Sequence, residues 1–411
     1  MARPLTTLTA ALALARCSAA GKEPPPAAVR ARAVAAFHAA LCGDALALGG
    51  HYEYDAAVIA SRVGRYERFH APGEGLGGTT HGVGWGRANY HPGKRAGDLT
   101  DAGDVSIMLL EHVAASGGAY TFDGFAAHWL ARIKGGYGSC NFQSVGPDGV
   151  CPPGTTPGYI SGASRRTLEA LAREPGATGE RRMALAAATN CLQPATRFLP
   201  LLAVYDNEDA LVAAAVTATH VTHRDRDPVA AAEFLARALF RRARGAPLAD
   251  ALQGAAGATG DAQVSGWLAA AVAKVREAAD PASVLSRAPL VDDAAITSMA
   301  RLWDVGRSEP IRVGKASPTE GALPGSLYLA LRYSHSLREA LVANAGVGGD
   351  SAARGFLIGA LLGAGGEDGA ATAVPPEWSA GLNEGPRVAA LWAALDAAQL
   401  ASAGARGRRE L

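Results

Sequence analysis

The chain has few charged residues and no strong charge of either sign. Of its 411 residues, 19% are charged, and 39 basic against 38 acidic residues leave a formal net charge of +1. No global field therefore favours nucleic acid or an anionic membrane, and we expect neither as a partner. A hydrophobic fraction of 49% excludes disorder over the whole chain.

Strand patterns are also scarce. Polar residues alternating with Val, Ile, Tyr and Thr are nearly absent, whereas alanine dominates many segments, and this combination favours helix. The sequence predicts an all-α fold, a single large helical domain over 28–405. The 50 glycines and 23 prolines fall largely between the alanine-rich stretches, as connectors do.

Cysteine is rare, and its spacing is not that of a metal site. Cys17, Cys42, Cys140, Cys151 and Cys191 form no CxxC pair and no His/Cys cluster, which argues against zinc. Cys140 and Cys151 bracket a loop that a disulfide could close in an oxidising compartment. The odd count makes free thiols the expectation.

No uninterrupted apolar stretch of about 20 residues is present, so the sequence predicts no membrane-spanning helix. Residues 1–27 read as a targeting segment or a disordered N-terminus, because the first 21 residues hold arginines and a short apolar run but no acid. A secretory signal and an organellar transit peptide fit equally well. We therefore expect a secreted or organellar protein.

Apolar residues at spacings of three and four, together with helix-end residues, predict a series of helices. They cover 27–48, 101–113, 121–133, 164–172, 194–204, 206–221, 228–243, 265–278, 292–303, 326–345, 350–362 and 386–401. Two long segments, 64–97 and 134–160, have no such period. Long irregular insertions are often functional, so we expect both to border a cleft.

Two turns with glycine and aspartate carry the candidate chemistry. In 97–104, Asp98, Asp101 and Asp104 recur every third residue, so that their carboxylates crowd one side of a helix start unless a cation, a proton or the helix dipole relieves them. Simple helix capping by Thr100 or Asp101 is the alternative.

The second turn lies far downstream. Gly348 and Gly349 allow close backbone approach to a ligand, and Asp350 and Ser351 supply oxygens at a helix start. An ordinary glycine turn with an N-cap is the alternative. Together the two turns offer hard oxygen ligands, which suit magnesium or manganese rather than zinc.

Three further residues are candidates for substrate contacts. His51 and Glu53 follow a helix that ends in two glycines; His51 would hydrogen-bond a ribose or phosphate, and Glu53 would act as acid or base. A surface pair is the alternative. Arg197 would pair with a buried acid or bind phosphate. The histidines of 219–223 are interpreted as structural.

The order of these elements resembles the ADP-ribosylglycohydrolase family. The pattern consists of Gly-Asp-Ala-Leu at 43–46, Leu-Thr-Asp at 99–101, Arg-Phe-Leu-Pro-Leu-Leu at 197–202, Val-Thr-His at 221–223 and Gly-Gly-Asp at 348–350. The stretch 51–55 is similar to the J-type crystallin and selenoprotein J branch. The resemblance implies an all-α fold that cleaves ADP-ribose from its acceptor with two magnesium ions.

The same resemblance assigns roles and reveals departures. Thr100 and Asp101 match the first metal motif, and Asp350 with Ser351 matches the start of the second. Ala102 and Gly103 replace the Asp-Thr that completes the first motif, and Ala352 and Ala353 replace that of the second. Asp104, one turn along, would compensate partly. These losses indicate one magnesium or manganese ion rather than two, or none.

Two hypotheses follow. The first is a metal-assisted hydrolase of an ADP-ribosyl N- or O-glycosidic bond, acting on ADP-ribose or an ADP-ribosylated substrate. Its catalytic residues are Asp101 and Glu53, its metal ligands Thr100, Asp101, Asp104, Asp350 and Ser351, and its substrate-binding residues His51, Gly348, Gly349 and Arg197. The second is a catalytically impaired family member, a possible pseudoenzyme, that serves as a binding or structural, crystallin-like protein.

Overall fold

The computed structural model describes residues 24–83, 85–146, 149–299, 302–303, 311–365 and 372–407. It is mostly helical, which confirms the predicted fold class. The helices are α1 (Ala27–Ala47), α2 (Ala56–Arg62), α3 (Asp101–Ala115), α4 (Phe122–Lys134), α5 (Gly162–Arg173), α6 (Gly179–Ala184), α7 (Glu208–Thr219), α8 (Arg226–Ala243), α9 (Leu248–Thr259), α10 (Ala262–Ala279), α11 (Val291–Ser298), α12 (Thr319–Arg332), α13 (Leu337–Val347), α14 (Ser351–Gly363), α15 (Pro376–Gly381) and α16 (Gly385–Gly407).

Short elements complete the described chain. The 3-10 turns are Leu48–Gly50, Gln193–Thr196, Leu199–Ala203, Leu285–Arg287 and Val313–Lys315. The strands β1 (Thr80–Gly82) and β2 (Gly86–Ala88) form one antiparallel hairpin, and β3 (Leu302–Trp303) pairs with β4 (Ile311–Arg312). The predicted targeting segment lies outside the described residues up to position 23.

Helices α1 and α14 form the centre of the fold. All of α14 is buried, and it packs on α1 at backbone distance. A Cβ added to Gly355 would lie 2.5 Å from the carbonyl oxygen of Gly43, and one added to Gly359 would lie 2.3 Å from that of Ala39. Such short distances leave no space for a side chain, so glycine is required at this contact.

This contact also places the candidate site. Asp44 follows Gly43 on α1, and His51 follows the 3-10 turn that continues α1. Asp350 is the N-cap residue of α14. Because the glycine contacts fix α14 against α1, the C-terminal end of α1 with Asp44 and the N-terminal end of α14 with Asp350 are held close together. The two residues are nevertheless far apart in sequence.

Several predicted helices differ from those observed. The single helix predicted over 326–345 is wrong: α12 ends at Arg332, and α13 starts at Leu337 after Ser336, whose side chain caps it. The segment 194–204 forms two 3-10 turns. The helix predicted over 292–303 ends at Ser298, and part of that range lies outside the described residues. Helices α2, α6, α9 and α15 were not predicted, because alanine, glycine and short length hide their period.

The expectation of free thiols is wrong for one pair of cysteines. Cys140 and Cys151 form a disulfide across the loop that follows α4. Main-chain hydrogen bonds from Cys140 to Thr156 and from Gly158 to Cys140 hold the base of the same loop. Cys42 and Cys191 are free thiols. An odd number of cysteines predicts only that at least one remains unpaired, and it does not indicate which cysteines form a disulfide.

One helical stretch of the described residues, Ala27–Gly50, has the length and hydropathy to cross a membrane. Most of that stretch, 83% of its apolar window, is buried inside the protein. Its apolar surface is covered by α14, α13 and the 3-10 turn Leu199–Ala203. The stretch is a core helix of this fold.

The close α1–α14 contact predicts that Gly→Ala destabilises the protein at Gly355, whereas the same change should have the opposite effect at an exposed helical glycine. Gly355→Ala should lower the free energy of unfolding by about 2 kcal/mol or more, because the added methyl group meets backbone that cannot move away. Gly266→Ala, on the exposed face of α10 with open space around it, should raise it by up to about 1 kcal/mol. Urea unfolding of both variants checks this. Equal effects would contradict the close contact.

Candidate active site

One cavity of about 590 Å³ opens beside the N-terminal ends of α3, α5 and α14. Its volume lies within the range of small-molecule sites. Asp101 of α3 and Asp350 of α14 both line it, although 249 positions separate them in sequence. The cavity thus brings together the two acidic turns that the sequence analysis singled out.

Burial and neighbouring acids disfavour the charged form of these two carboxylates to different degrees. Burial raises the pKa of Asp101 well above its usual range, and the negative charges of Asp350 and Asp44 raise it further. Burial likewise raises the pKa of Asp350 to about 6, while the Arg354 guanidinium opposes that rise. A cleft that holds perturbed carboxylates is a candidate functional site.

Asp44 holds the turn before α3 through hydrogen bonds. Its Oδ2 accepts the backbone N–H groups of Thr100 (2.9 Å) and Gly103 (3.2 Å), and its Oδ1 accepts the Thr100 hydroxyl (2.6 Å). Burial raises the pKa of Asp44 to about 7, and the hydrogen bonds from Thr100 oppose that rise. Asp44 therefore fixes the start of α3 and, with it, the position of Asp101.

Thr100 has its hydroxyl oxygen already engaged. The oxygen donates to Asp44 and accepts the Ala102 N–H (3.2 Å), as a helix N-cap does. Thr100 lines the cavity. The capping role that the sequence allowed is thus present in the structure.

His51, which follows the 3-10 turn after α1, contacts the start of α14. Its Nδ1 accepts the backbone N–H of Ala352 at 3.4 Å, so the neutral ring carries its proton on Nε2. Nε2 lies 3.9 Å from Asp350 Oδ1. Burial, with the charges of His91 and Arg354, holds the pKa of His51 well below its usual range. The ring is therefore neutral and directs an N–H towards the acidic floor.

The downstream turn is held by backbone contacts and by one arginine. Gly348 and Gly349 have positive φ values of 70° and 68°, and added Cβ atoms would lie 2.1 Å from the Glu53 carbonyl oxygen and 2.2 Å from that of Lys315. The glycines are therefore needed for chain packing. Arg354, fully buried, donates to the carbonyl oxygens of Gly348 and Asp350.

Aromatic side chains form one wall of the cavity. The ring of Tyr52 lies 5.4 Å from that of Tyr90 and 6.0 Å from that of Tyr159, which stacks on Phe142. Tyr52 has a φ of 69°, the one positive value among the described non-glycine residues. Such strain persists where surrounding contacts impose it, often at functional sites.

Both irregular segments contribute to this wall, as predicted for cleft borders. Trp85 and Tyr90 come from 64–97, and Phe142, Gln143 and Tyr159 come from 134–160. Trp85 is 52% exposed at the tip of the β1–β2 hairpin. The disulfide closes the loop that carries Phe142 and Gln143, and therefore restricts that part of the border.

Another part of the cavity lining is polar and basic. It includes Arg165 and Arg166 at the start of α5, Gln193, and His223. Arg166 donates to the Thr189 hydroxyl at 2.6 Å. The interpretation of His223 as structural alone is incomplete, because its side chain lines the cavity. The site thus has an acidic floor, an aromatic wall and a basic wall.

Of the predicted site residues, Thr100, Asp101, Asp350 and His51 line the cavity. Asp104 does not: its Oδ2 pairs with Lys94 Nζ at 2.8 Å and accepts the Tyr137 hydroxyl at 2.9 Å. Lys94 therefore neutralises the Asp104 carboxylate, which was predicted to bind a metal ion.

Glu53 is also outside the cavity. It is buried, and its Oε2 lies 3.3 Å from an Arg87 nitrogen and from the His81 N–H. These contacts tie the β1–β2 hairpin to the segment after α1. The alternative of a solvated surface pair is wrong for both His51 and Glu53, since both side chains are buried.

The remaining predicted residues lie behind the cavity. Arg197 is buried, donates to the Ala218 carbonyl oxygen at 3.5 Å, and has a pKa lowered by burial to about 10, an effect that Asp101 opposes. Ser351 is buried with no partner for its hydroxyl among the described residues. Gly348 and Gly349 support the turn.

Sequence reasoning missed the aromatic wall, the α5 arginines and Arg354. Arg354 carried a signal, since a charged residue within the apolar run 350–362 must find buried partners. The aromatic residues carried a weaker one, a concentration within irregular segments. Nothing in the spacing of Arg165 and Arg166 distinguishes them from solvated arginines of a helix surface.

The structure is thus an all-α protein with two carboxylates in a cavity at the ends of its helices. A model of the ADP-ribosylglycohydrolase family matches residues 25–407, and the chain belongs to that family. No curated protein sequence matches. Membership supports a hydrolase of that type.

A solved structure described as an ADP-ribosylglycohydrolase-related protein complex is similar, with a TM-score of 0.54 and 20% identity. The match covers 90% of this chain and 99% of that one. At this identity the similarity supports the fold, and it is independent of the motifs.

The residues present do not fit the two-ion centre that the family resemblance implies. Ala102, Ala352 and Ala353 line the cavity where the motifs call for ligands, and the Thr100 oxygen is engaged. Among the described residues, no group of three or more His, Cys, Asp and Glu side chains could hold a metal ion. Asp101 and Asp350 are the carboxylates that line the cavity, and magnesium is a metal that keeps several waters and binds proteins through one or two carboxylates.

Asp350 predicts a pH-dependent difference between two forms of the metal-free protein. Its pKa rises from 3.8 to about 6 on folding, so its stabilising contribution is complete below pH 4 and is lost as pH rises to 6. Asp350→Asn imitates the protonated form. In EDTA, its stability relative to wild type should grow from pH 4 to 6 by up to about 3 kcal/mol and then level off.

Thermal and urea unfolding at a series of pH values checks this. Taking the difference between the two proteins removes the opposite contributions of the buried histidines, whose pKa values are lowered. A difference that does not change with pH would show that Asp350 is not destabilised by its charge.

Proposed function

We propose that the protein hydrolyses an ADP-ribosyl N- or O-glycosidic bond in this cavity, with one magnesium or manganese ion at Asp101 and Asp350. Water adds to C1 of the ribose, the bond to the acceptor nitrogen or oxygen breaks, and the acceptor leaves with a proton. The observation that carries the proposal is the meeting of Asp101 and Asp350, from two distant turns, on the floor of one ligand-sized cavity.

The other walls suit the remaining parts of ADP-ribose. Aromatic rings such as Tyr159 and Phe142 offer stacking surfaces for the nucleobase. Arg165 and Arg166 offer positive charge to the diphosphate. Hydroxyl groups of the ribose would then lie at the acidic floor, where carboxylates accept hydrogen bonds.

A bound divalent ion would polarise the sugar oxygens and orient water when present. Asp101 and Asp350 would hold it, since its charge offsets the burial and the repulsion from Asp350 that raise the pKa of Asp101. His51 Nε2–H faces Asp350 and would orient that carboxylate. Glu53 and Asp104 would have no direct role in catalysis or metal binding. They would support the site indirectly, Glu53 by its contact with the β1–β2 hairpin and Asp104 by its contact at the start of α3.

A binding or structural protein is the second candidate. The observation in its favour is that Ala102, Ala352 and Ala353 line the cavity, so the site keeps its shape with fewer polar ligands. The resemblance of 51–55 to the J-type crystallin and selenoprotein J branch supports it as well. In this case ADP-ribose would bind without turnover.

Purified protein should bind ADP-ribose and release it from ADP-ribosylated arginine or serine peptides. At 100 times the Kd, ADP-ribose should stabilise the folded protein by about 2.7 kcal/mol, and magnesium should increase the shift. Asp101→Asn and Asp350→Asn should each lower kcat/KM by about 100-fold or more. Chromatographic detection of free ADP-ribose measures the rate.

Asp98→Asn is the matched control. Asp98 belongs to the same loop, accepts from Arg95 N and Asn383 Nδ2, and does not line the cavity. Its activity should stay near that of wild type. Binding without turnover would favour the second candidate, and absence of ADP-ribose binding under both metal conditions would contradict both.

A further inference from the structure

The buried guanidinium of Arg354 is an unusual feature of the cavity floor. Arg354 has 0% exposure, and its Nε donates to Asn344 Oδ1 at 3.1 Å, while its two other nitrogens donate to the carbonyl oxygens of Asp350 and Gly348. All of these acceptors are neutral. A buried charge whose hydrogen bonds all go to neutral groups depends on a nearby opposite charge.

Asp350 supplies that opposite charge. Burial lowers the pKa of Arg354 to about 10, and Asp350 is the acid that most opposes this. In turn Arg354 is the charge that most favours ionised Asp350. The two groups thus compensate each other across the helix start, with the carboxylate on the cavity side and the guanidinium behind it.

The substitutions around Arg354 point the same way. Ala352 and Ala353 stand where the motif of the family carries Asp-Thr, so one carboxylate and one hydroxyl expected beside Asp350 are missing. That carboxylate would have balanced part of a dication. Arg354 adds a permanent positive charge one turn further along the same helix. A missing carboxylate and a nearby positive charge both make this end of the cavity less able to hold a cation.

We infer that Arg354 is a positioning residue that takes the place of the second cation: it balances Asp350 and fixes the Gly348–Asp350 turn, so that the cavity accepts no more than one divalent ion. This inference rests on the proposed function for the role of the site. It concerns ion number, which is measured independently of hydrolysis.

Calorimetric titration of the full, metal-free chain with manganese tests it. Wild type should bind no more than one ion. Arg354→Met removes the charge at similar side-chain length, and it should bind manganese about tenfold more tightly. Should Arg354→Met fail to fold by circular dichroism, Arg354→Gln, which keeps a donor for the turn, takes its place.

Asn344→Ala is the matched control for a merely structural role. It removes the Nε acceptor and the donor to the Ser351 carbonyl oxygen but keeps the guanidinium charge. Its manganese affinity should stay within about threefold of wild type. If the Arg354 and Asn344 variants weaken manganese binding alike, Arg354 acts through folding alone and the inference fails.

Restoring a carboxylate gives the sharper test. Ala352→Asp alone should still bind one ion, because Arg354 remains, whereas Ala352→Asp combined with Arg354→Met should bind two. Two ions in wild type, or in the Ala352→Asp variant alone, would overturn the inference. If wild type released no ADP-ribose from ADP-ribosylated peptides while the ion counts were as expected, the proposed function would fail and the role of Arg354 would stand.

Discussion

The contact between α1 and α14 is the constraint on which the rest of the site depends. At Gly43, Gly355 and Gly359 the two helices approach until backbone meets backbone. That approach lets one helix position Asp44 and, through Asp44, the start of α3 with Asp101. The other helix presents Asp350 directly. A wider separation would move the two carboxylates apart without changing any residue of the cavity itself.

The electrostatics of the site follow from this geometry. Burial raises the pKa values of Asp44, Asp101 and Asp350, and the charges of Asp350 and Asp44 raise that of Asp101 further. The protein tolerates this because Thr100 and Gly103 donate to Asp44, and Arg354 lies behind Asp350. Burial and the neighbouring acids leave ionised Asp101 disfavoured, and a cation bound beside it would relieve that penalty.

The sequence predicted the helical class, most helix positions and the two acidic turns, because these depend on local periodicity and on glycine–acid pairs. It did not predict which side of each turn faces the cavity. Asp104 is one helical turn from Asp101, yet Lys94 from the preceding loop neutralises it. Glu53 is two residues from His51, yet it turns towards Arg87. Such choices depend on partners from distant loops, which spacing does not reveal.

Fold and chemistry are separable in this chain. Ala352 and Ala353 occupy the first turn of a fully buried helix and are themselves buried, although both line the cavity. This helix packs against α1 without the polar side chains of the motif, so the architecture is present without those ligands. Under the role inferred for Arg354, the charge balance around Asp350, rather than the architecture, sets how many divalent ions the cavity holds.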